Sequence, residues 1–181
     1  MDVPQAQSRR TFLRQTAFGV AALWSSALLP ISCSQYKDVP QEILRRLTFL
    51  SGHEYLVVKA VAGRLIRKVL RTDPDAHEIE IALRVDKFLA AAHPELQRQF
   101  HQLLVVFNSP IFAFLFELRF SSFLDMDPPV QDAYLRSWMT SGIQFRRTAF
   151  QALKRLCVGL FYLDDRTWES IGYRGPLVPA E

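Results

Sequence analysis

The segment from Ile143 to Leu163 places apolar side chains three and four positions apart, which is the spacing of one face of an α-helix. The apolar positions are Ile143, Ala149, Phe150, Leu153, Cys157 and Leu160. The polar positions between them are Gln144, Arg147, Gln151, Lys154 and Arg155. Because such a helix buries one face and exposes the other, the pattern predicts a long helix packed against a core.

Four earlier segments combine the same spacing with helix start or stop signals. Ser51 and Glu54 have the spacing of a capping box, so a helix is predicted to begin there and to run to about Arg71. The other predicted helices cover about 78–92, 94–107 and 127–142. The chain has only seven glycines against fourteen phenylalanines, too few for the turns of a many-stranded β-fold. We therefore expect an all-α fold, a compact bundle of about five to six helices.

Phenylalanine is concentrated between Phe100 and Phe123, which hold seven of the fourteen in the chain. Within this region, residues 110–116 are apolar on every side of a helix. A helix of this kind is either enclosed in the core or has one face in the core and another on a partner. The sequence leaves both interpretations open.

The N-terminus has the pattern of an export signal. Arg9 and Arg10 are adjacent, Phe12 and Leu13 follow them, and a moderately apolar stretch covers residues 16–31. This order is typical of a twin-arginine signal, whereas a general signal peptide needs only the positive flank. The pattern predicts transport by the twin-arginine translocase, a route for proteins that have already folded.

The end of the signal has two interpretations. Ser25 and Ala27 have the spacing that a signal peptidase accepts. The sequence Ile31-Ser32-Cys33 resembles the end of a lipoprotein box, although Pro30 stands where leucine is usual. Cleavage after Ala27 and lipidation at Cys33 are both open.

Three parts are predicted from these features. Residues 1–33 form the twin-arginine signal, residues 34–50 form a linker with a short helix, and residues 51–181 form the helical domain. The expected location is the periplasm, with membrane association either through a partner or through a lipid on Cys33.

The charge distribution argues against nucleic-acid binding. The formal net charge is +4, and residues 34–181 carry 19 basic and 17 acidic side chains. A nucleic-acid surface needs a dense set of lysines and arginines to neutralise phosphates, and here most basic residues alternate with acidic or apolar ones.

The sequence contains no recognised pattern of an enzyme site. The glycines are scattered, and two cysteines cannot supply a covalent haem or an iron–sulfur cluster. The four histidines lack the spacing of a metal site. Asp164 and Asp165 are interpreted as helix caps, with calcium ligation as the alternative, and Cys157 as a buried apolar residue. We expect no catalytic residue, cofactor or metal in this chain.

The C-terminal segment gives the chain a family resemblance. It contains Arg146-Arg147, the long helix, Phe161-Tyr162 and the tail Trp168-Glu169-Ser170-Ile171-Gly172-Tyr173-Arg174-Gly175-Pro176. With the twin-arginine signal and a small helical domain, these residues resemble the small third subunit of bacterial flavin-dependent gluconate 2-dehydrogenases and related sugar or alcohol dehydrogenases. The resemblance covers about residues 47–176, and its most specific part is the tail.

The resemblance implies a role and a set of partners. In that family a large catalytic subunit of the glucose–methanol–choline (GMC) type binds FAD, and a membrane-bound c-type cytochrome subunit often accepts the electrons. The small subunit carries the export signal, escorts the flavoprotein and stabilises it. On this basis Phe112, Phe116, Trp168 and Tyr173 are predicted to contact the partner. The alternative is a stand-alone periplasmic helical binding protein or lipoprotein.

Overall fold

The computed structural model describes residues 39–67 and 79–175. Within these ranges the protein has seven α-helices, three short 3₁₀ turns and no strand, which confirms the predicted all-α fold. The helices are α1 (Gln41–Arg46), α2 (Gly52–Leu65), α3 (Ile81–Ala90), α4 (Pro94–Phe107), α5 (Pro110–Glu117), α6 (Pro128–Met139) and α7 (Gln144–Tyr162). The 3₁₀ turns are Phe123–Asp125, Asp165–Thr167 and Glu169–Ile171.

The capping box at the start of α2 is confirmed. The Ser51 side chain accepts a hydrogen bond from the Glu54 N–H, and the Glu54 carboxylate accepts one from the Ser51 N–H at 2.9 Å. The helix ends at Leu65, before the predicted end near Arg71. Residues 68–78, which include Arg71, lie outside the described residues.

The core lies between α2, α3, α6 and α7. Helix α2 packs on both α3 and α7, α3 also packs on α7, and α6 packs on α7 and α2. The largest fully buried side chains are Trp138, Tyr55, Phe107, Phe123, Phe161 and Leu89. Helix α4 packs on α3 and α5, so α5 is at the edge of this arrangement, and only Ala113 of α5 is buried.

A buried carboxylate holds the loop between α1 and α2. Asp86 on α3 is fully buried and accepts hydrogen bonds from the backbone N–H groups of Thr48 (2.8 Å), Phe49 (2.9 Å) and Leu50 (2.7 Å). These three N–H groups lie between α1 and α2 and have no partner within either helix. Asp86, from α3, supplies the acceptors that they need. Sequence reasoning had not singled out this residue.

Two charged residues at the start of α3 have partners outside this helix. Glu80 and Arg84 are four positions apart, a spacing that favours an ion pair along one helix, but they do not pair with each other. Instead, Glu80 accepts a hydrogen bond from the Tyr55 hydroxyl at 3.0 Å and lies 3.4 Å from the Lys59 ammonium group. Arg84 pairs with Asp164, which follows α7. Both residues therefore connect α3 to other helices, which a pattern within one helix does not reveal.

Candidate docking surface

The four predicted contact aromatics form two separate pairs. Phe112 and Phe116 stack along α5, with ring centroids 6.3 Å apart. Trp168 and Tyr173 meet edge to face in the tail, at 5.1 Å. Phe112 and Trp168 are half-buried, whereas Phe116 and Tyr173 are exposed. The prediction that these residues contact a partner stays a prediction.

Helix α5 presents most of its apolar side chains to the outside. The exposed residues of α5 and the segment after it are Ile111, Phe114, Leu115, Phe116, Leu118 and Phe120, and we call this set the α5 face. Their exposed fractions run from 40% for Phe116 to 83% for Leu118. The interpretation of α5 as a helix enclosed in the core is therefore wrong, because four of its apolar side chains are exposed and only Ala113 is buried.

Leu118 ends α5 in a left-handed backbone conformation. Its φ angle is 52°, and among the described residues no other non-glycine has a positive φ. Its N–H bonds to the Phe114 carbonyl at 2.9 Å, which closes the last turn of the helix. An L-residue with a side chain pays about 1 kcal/mol in this region, so glycine is usual at such helix ends. Here a leucine occupies the position and is 83% exposed.

Arg146 attaches α5 to the rest of the protein. It is buried, and its Nη2 donates hydrogen bonds to Glu117 Oε1 at 2.7 Å and to Ser137 Oγ at 2.9 Å. Its guanidinium also lies 5.0 Å from the ring centroid of Phe116 and 5.2 Å from that of Trp138. Charge-assisted hydrogen bonds and cation–π contact thus hold the end of α5 against α6 and α7.

Sequence reasoning missed the structural role of Arg146, which it quoted only within the family resemblance. The signal that could have found it is spacing, since Arg146 precedes the buried residues Phe150 and Leu153 by four and seven positions. The apolar pattern instead predicts Ile143 on the inner face, but Ile143 is 43% exposed and lies before α7. An arginine at an inward position is easily passed over because isolated charges are seldom buried.

The tail packs against the end of α7. The Trp168 indole N–H donates to the Tyr162 carbonyl at 3.0 Å, and Thr167 is fully buried. Gly175 has a φ of 100°, and a Cβ there would lie 3.2 Å from the Trp168 ring. Glycine is needed at that position for both reasons. Tyr173 is 47% exposed beside this anchored tryptophan.

Asp164 caps the first turn of the tail, as predicted. Its carboxylate accepts from the Arg166 N–H at 3.1 Å and pairs with the guanidinium groups of Arg166 and Arg84. The hydrogen bond from the Arg166 side chain, together with the charges of both arginines, lowers its pKa from 3.8 to about 2, against the opposing effect of burial. The contact with Arg84 thus holds the tail to α3, and the contacts with Arg166 fix its first turn.

This lowered pKa predicts a specific loss of stability in acid. The contribution of Asp164 is complete above pH 3.8 and disappears as the pH falls through about 2. The free energy of unfolding should fall more steeply for the wild type than for Asp164→Asn over this interval, by on the order of 2 kcal/mol. Urea unfolding at a series of pH values from 5 to about 2 measures it. The exposed neighbour in Asp165→Asn is the control, and an equal fall in all three proteins would contradict the assignment.

The remaining described candidates offer no reactive site. Burial raises the pKa of the Cys157 thiol to about 12, so it stays protonated and packs as a small apolar side chain. Within residues 39–67 and 79–175, no group of three or more histidines, cysteines, aspartates and glutamates lies close enough to hold a metal ion. Arg9, Arg10, Phe12, Leu13 and Cys33 lie outside the described residues.

One further observation concerns α4 and α5, and another concerns the chain as a whole. Among the described helices none is long and apolar enough on its own to cross a membrane, but α4 and α5, bent by 62°, pass that test as a pair. No family model, curated protein or solved structure matches the chain.

Proposed function

We propose that this chain is the non-catalytic small subunit of a periplasmic, FAD-dependent dehydrogenase complex similar to gluconate 2-dehydrogenase. It carries the twin-arginine signal for the complex, escorts the folded flavoprotein subunit through the translocase and stabilises it afterwards. The flavoprotein holds the FAD and performs the oxidation, and a membrane-bound c-type cytochrome subunit accepts the electrons.

The observation that carries this proposal is the α5 face. Six large apolar side chains from one short helix and the segment after it are exposed. A group of exposed large apolar side chains close together in the chain is typical of a contact site, because burial against a partner removes them from water. A stand-alone periplasmic binding protein would leave the face in contact with water, so the observation favours a subunit.

The export signal adds a second reason. The twin-arginine route moves folded proteins, and a flavoprotein acquires FAD and folds before it leaves the cytoplasm. A subunit with Arg9 and Arg10 and a large contact surface supplies both the signal and the attachment that such a flavoprotein needs. Cys157, the cysteine of the described domain, is buried, so we assign no redox step to it.

Replacing Arg9 and Arg10 together by lysine tests the escort role. The chain is co-expressed with a tagged FAD-dependent dehydrogenase subunit of the GMC type, and flavoprotein antigen and FAD are measured in the periplasmic fraction. Because the translocase reads the arginine pair and not merely its charge, we expect periplasmic flavoprotein to fall to background while the cytoplasmic pool keeps its FAD.

The matched control replaces Arg45 and Arg46, an exposed arginine pair in α1, by lysine in the same way. It should leave export unchanged. Normal flavoprotein export by the Arg9 and Arg10 double variant, or failure of the wild-type chain to co-purify with the flavoprotein, would contradict the proposed function.

A further inference from the structure

We propose that Leu118, Arg119 and Phe120 form a docking tip that enters an apolar groove of the flavoprotein subunit, where a partner carboxylate pairs with Arg119. The inference rests on the proposed function for the existence of that partner. It specifies the chemistry of the partner's surface and names the residues of this chain that recognise that surface.

The backbone at Leu118 is the first reason. Glycine would end α5 in the same left-handed conformation without strain. Leucine is strained there, and with 83% of its surface exposed it gains little packing inside the chain in return. The conformation also leads directly to Phe120, which is 76% exposed. A strained residue that projects an apolar side chain outward fits a contact made with another molecule.

The charge at Arg119 is the second reason. It is exposed and forms no hydrogen bond or ion pair with the residues that the structure describes. The nearest acid along the chain, Glu117, is already bound by Arg146 and Ser137. A partner that covers both neighbours of Arg119 would strip water from its guanidinium. Since an unpaired buried charge is very unfavourable, the partner must supply an anion, and a carboxylate matches the fork of an arginine.

A second copy of this chain and a lipid surface fit less well. A symmetric contact between two α5 faces would bring the two Arg119 side chains together without a free acid, because Glu117 is occupied. Anionic membranes recruit proteins through clusters of basic residues, whereas the docking tip contains a single basic residue, Arg119. The charges therefore favour a protein partner whose surface has an apolar groove with an acidic side chain in it.

The test compares four purified chains for binding to the purified flavoprotein subunit by calorimetry or biolayer interferometry. We expect Leu118→Gly to keep or raise the Tm of the isolated chain and yet to weaken binding by about tenfold or more, because it removes strain and a contact side chain together. Arg119→Glu should weaken binding by at least about tenfold through repulsion of the partner carboxylate. Lys154→Glu, the same charge change on the exposed face of α7, should bind as the wild type does.

A zero-length cross-link identifies the carboxylate. Arg119→Lys keeps the charge and supplies an amine, which a carbodiimide couples to an adjacent carboxylate as an amide. We expect a new cross-link from position 119 to an aspartate or glutamate of the flavoprotein, located by mass spectrometry and absent from the wild-type complex.

The outcomes separate this inference from the proposed function. If the wild-type chain does not bind the flavoprotein, the proposed function fails. If it binds, and Leu118→Gly and Arg119→Glu bind equally well, the docking tip is wrong and the function stands. The docking-tip proposal is also wrong if Arg119→Glu leaves flavoprotein binding unchanged but abolishes binding to vesicles of phosphatidylglycerol and phosphatidylethanolamine in equal parts. It is likewise wrong if Leu118→Gly leaves flavoprotein binding unchanged but abolishes a dimer of this chain.

Discussion

Replacing Asp86 by alanine is expected to lower the free energy of unfolding by about 4 kcal/mol. The carboxylate is fully buried and accepts three backbone hydrogen bonds, from Thr48, Phe49 and Leu50. Hydrogen bonds to a charged group contribute roughly 1.5–3 kcal/mol each, and buried donors that lose their acceptor cost further. The sum is reduced because Thr48 is exposed and its N–H can turn to water. Urea unfolding followed by circular dichroism measures the change.

The asparagine variant separates the effect of losing hydrogen-bond acceptors from the effect of losing side-chain volume at position 86. In Asp86→Asn one side-chain oxygen still accepts, but the amide nitrogen faces a backbone donor, so we expect about half of the loss. Asp127→Ala is the control, because Asp127 is exposed and its side chain makes no capping hydrogen bond. It should change stability by less than about 0.5 kcal/mol. A loss of similar size in the control would show that Asp86 has no special role.

Replacing Phe107 by alanine is expected to cost about 3–5 kcal/mol. Phe107 ends α4, is fully buried and contacts the rings of Phe123 at 4.8 Å, Trp138 at 5.0 Å and Tyr134 at 5.4 Å. Alanine would leave a cavity among three rigid rings, which cannot easily collapse into it. The Tyr134 hydroxyl also donates to the Phe107 carbonyl at 3.0 Å, a bond that survives the change and keeps the backbone in place.

Two further variants decide whether the loss comes from the cavity. Phe107→Leu fills part of the space and should cost clearly less than alanine does. Val105→Ala changes a 57% exposed residue of the same helix and should have little effect. The measurement is again the free energy of unfolding. Equal losses for the alanine and leucine variants at Phe107 would contradict the cavity explanation.

The Phe107 cluster also bears on the proposed docking surface. Trp138 belongs to the cluster and also contacts the Arg146 guanidinium, which lies over the ring of Phe116 of α5. The α5 face is thus attached through Arg146 to a buried cluster of aromatic rings. A contact surface that is held in position before it binds loses less conformational entropy on association.

Local sequence signals predicted where helices begin, and most of these predictions are confirmed. The Ser51 and Glu54 capping box, Pro94, and Asp127 followed by Pro128 mark the starts of α2, α4 and α6. These signals act between residues close in the chain, so they can be read without knowledge of the fold. Asp127 lies at the start of α6, but its side chain makes no capping hydrogen bond, because Pro129 at the second helical position has no N–H and the Val130 N–H bonds to the Asp127 carbonyl at 2.9 Å.

Burial could not be predicted in the same way, because it depends on which elements are neighbours. Phe88, a large apolar residue of α3, is 48% exposed, whereas the charged residue Asp86 on the same helix is fully buried. The inward position of Arg146 was missed for the same reason, since the carboxylate that pairs with it, Glu117, comes from a distant part of the chain. Periodicity shows that a helix has two faces but does not identify the residue on the other side of the contact.

By itself, the sequence determined the all-α class and the starts of the main helices, because each of these is encoded in residues a few positions apart. Only the tertiary structure decided that α5 is exposed, that Leu118 projects from its end, and that Asp86 and Arg146 are buried. Those properties follow from packing between segments distant in the chain, where a residue's environment is set by its neighbours in space.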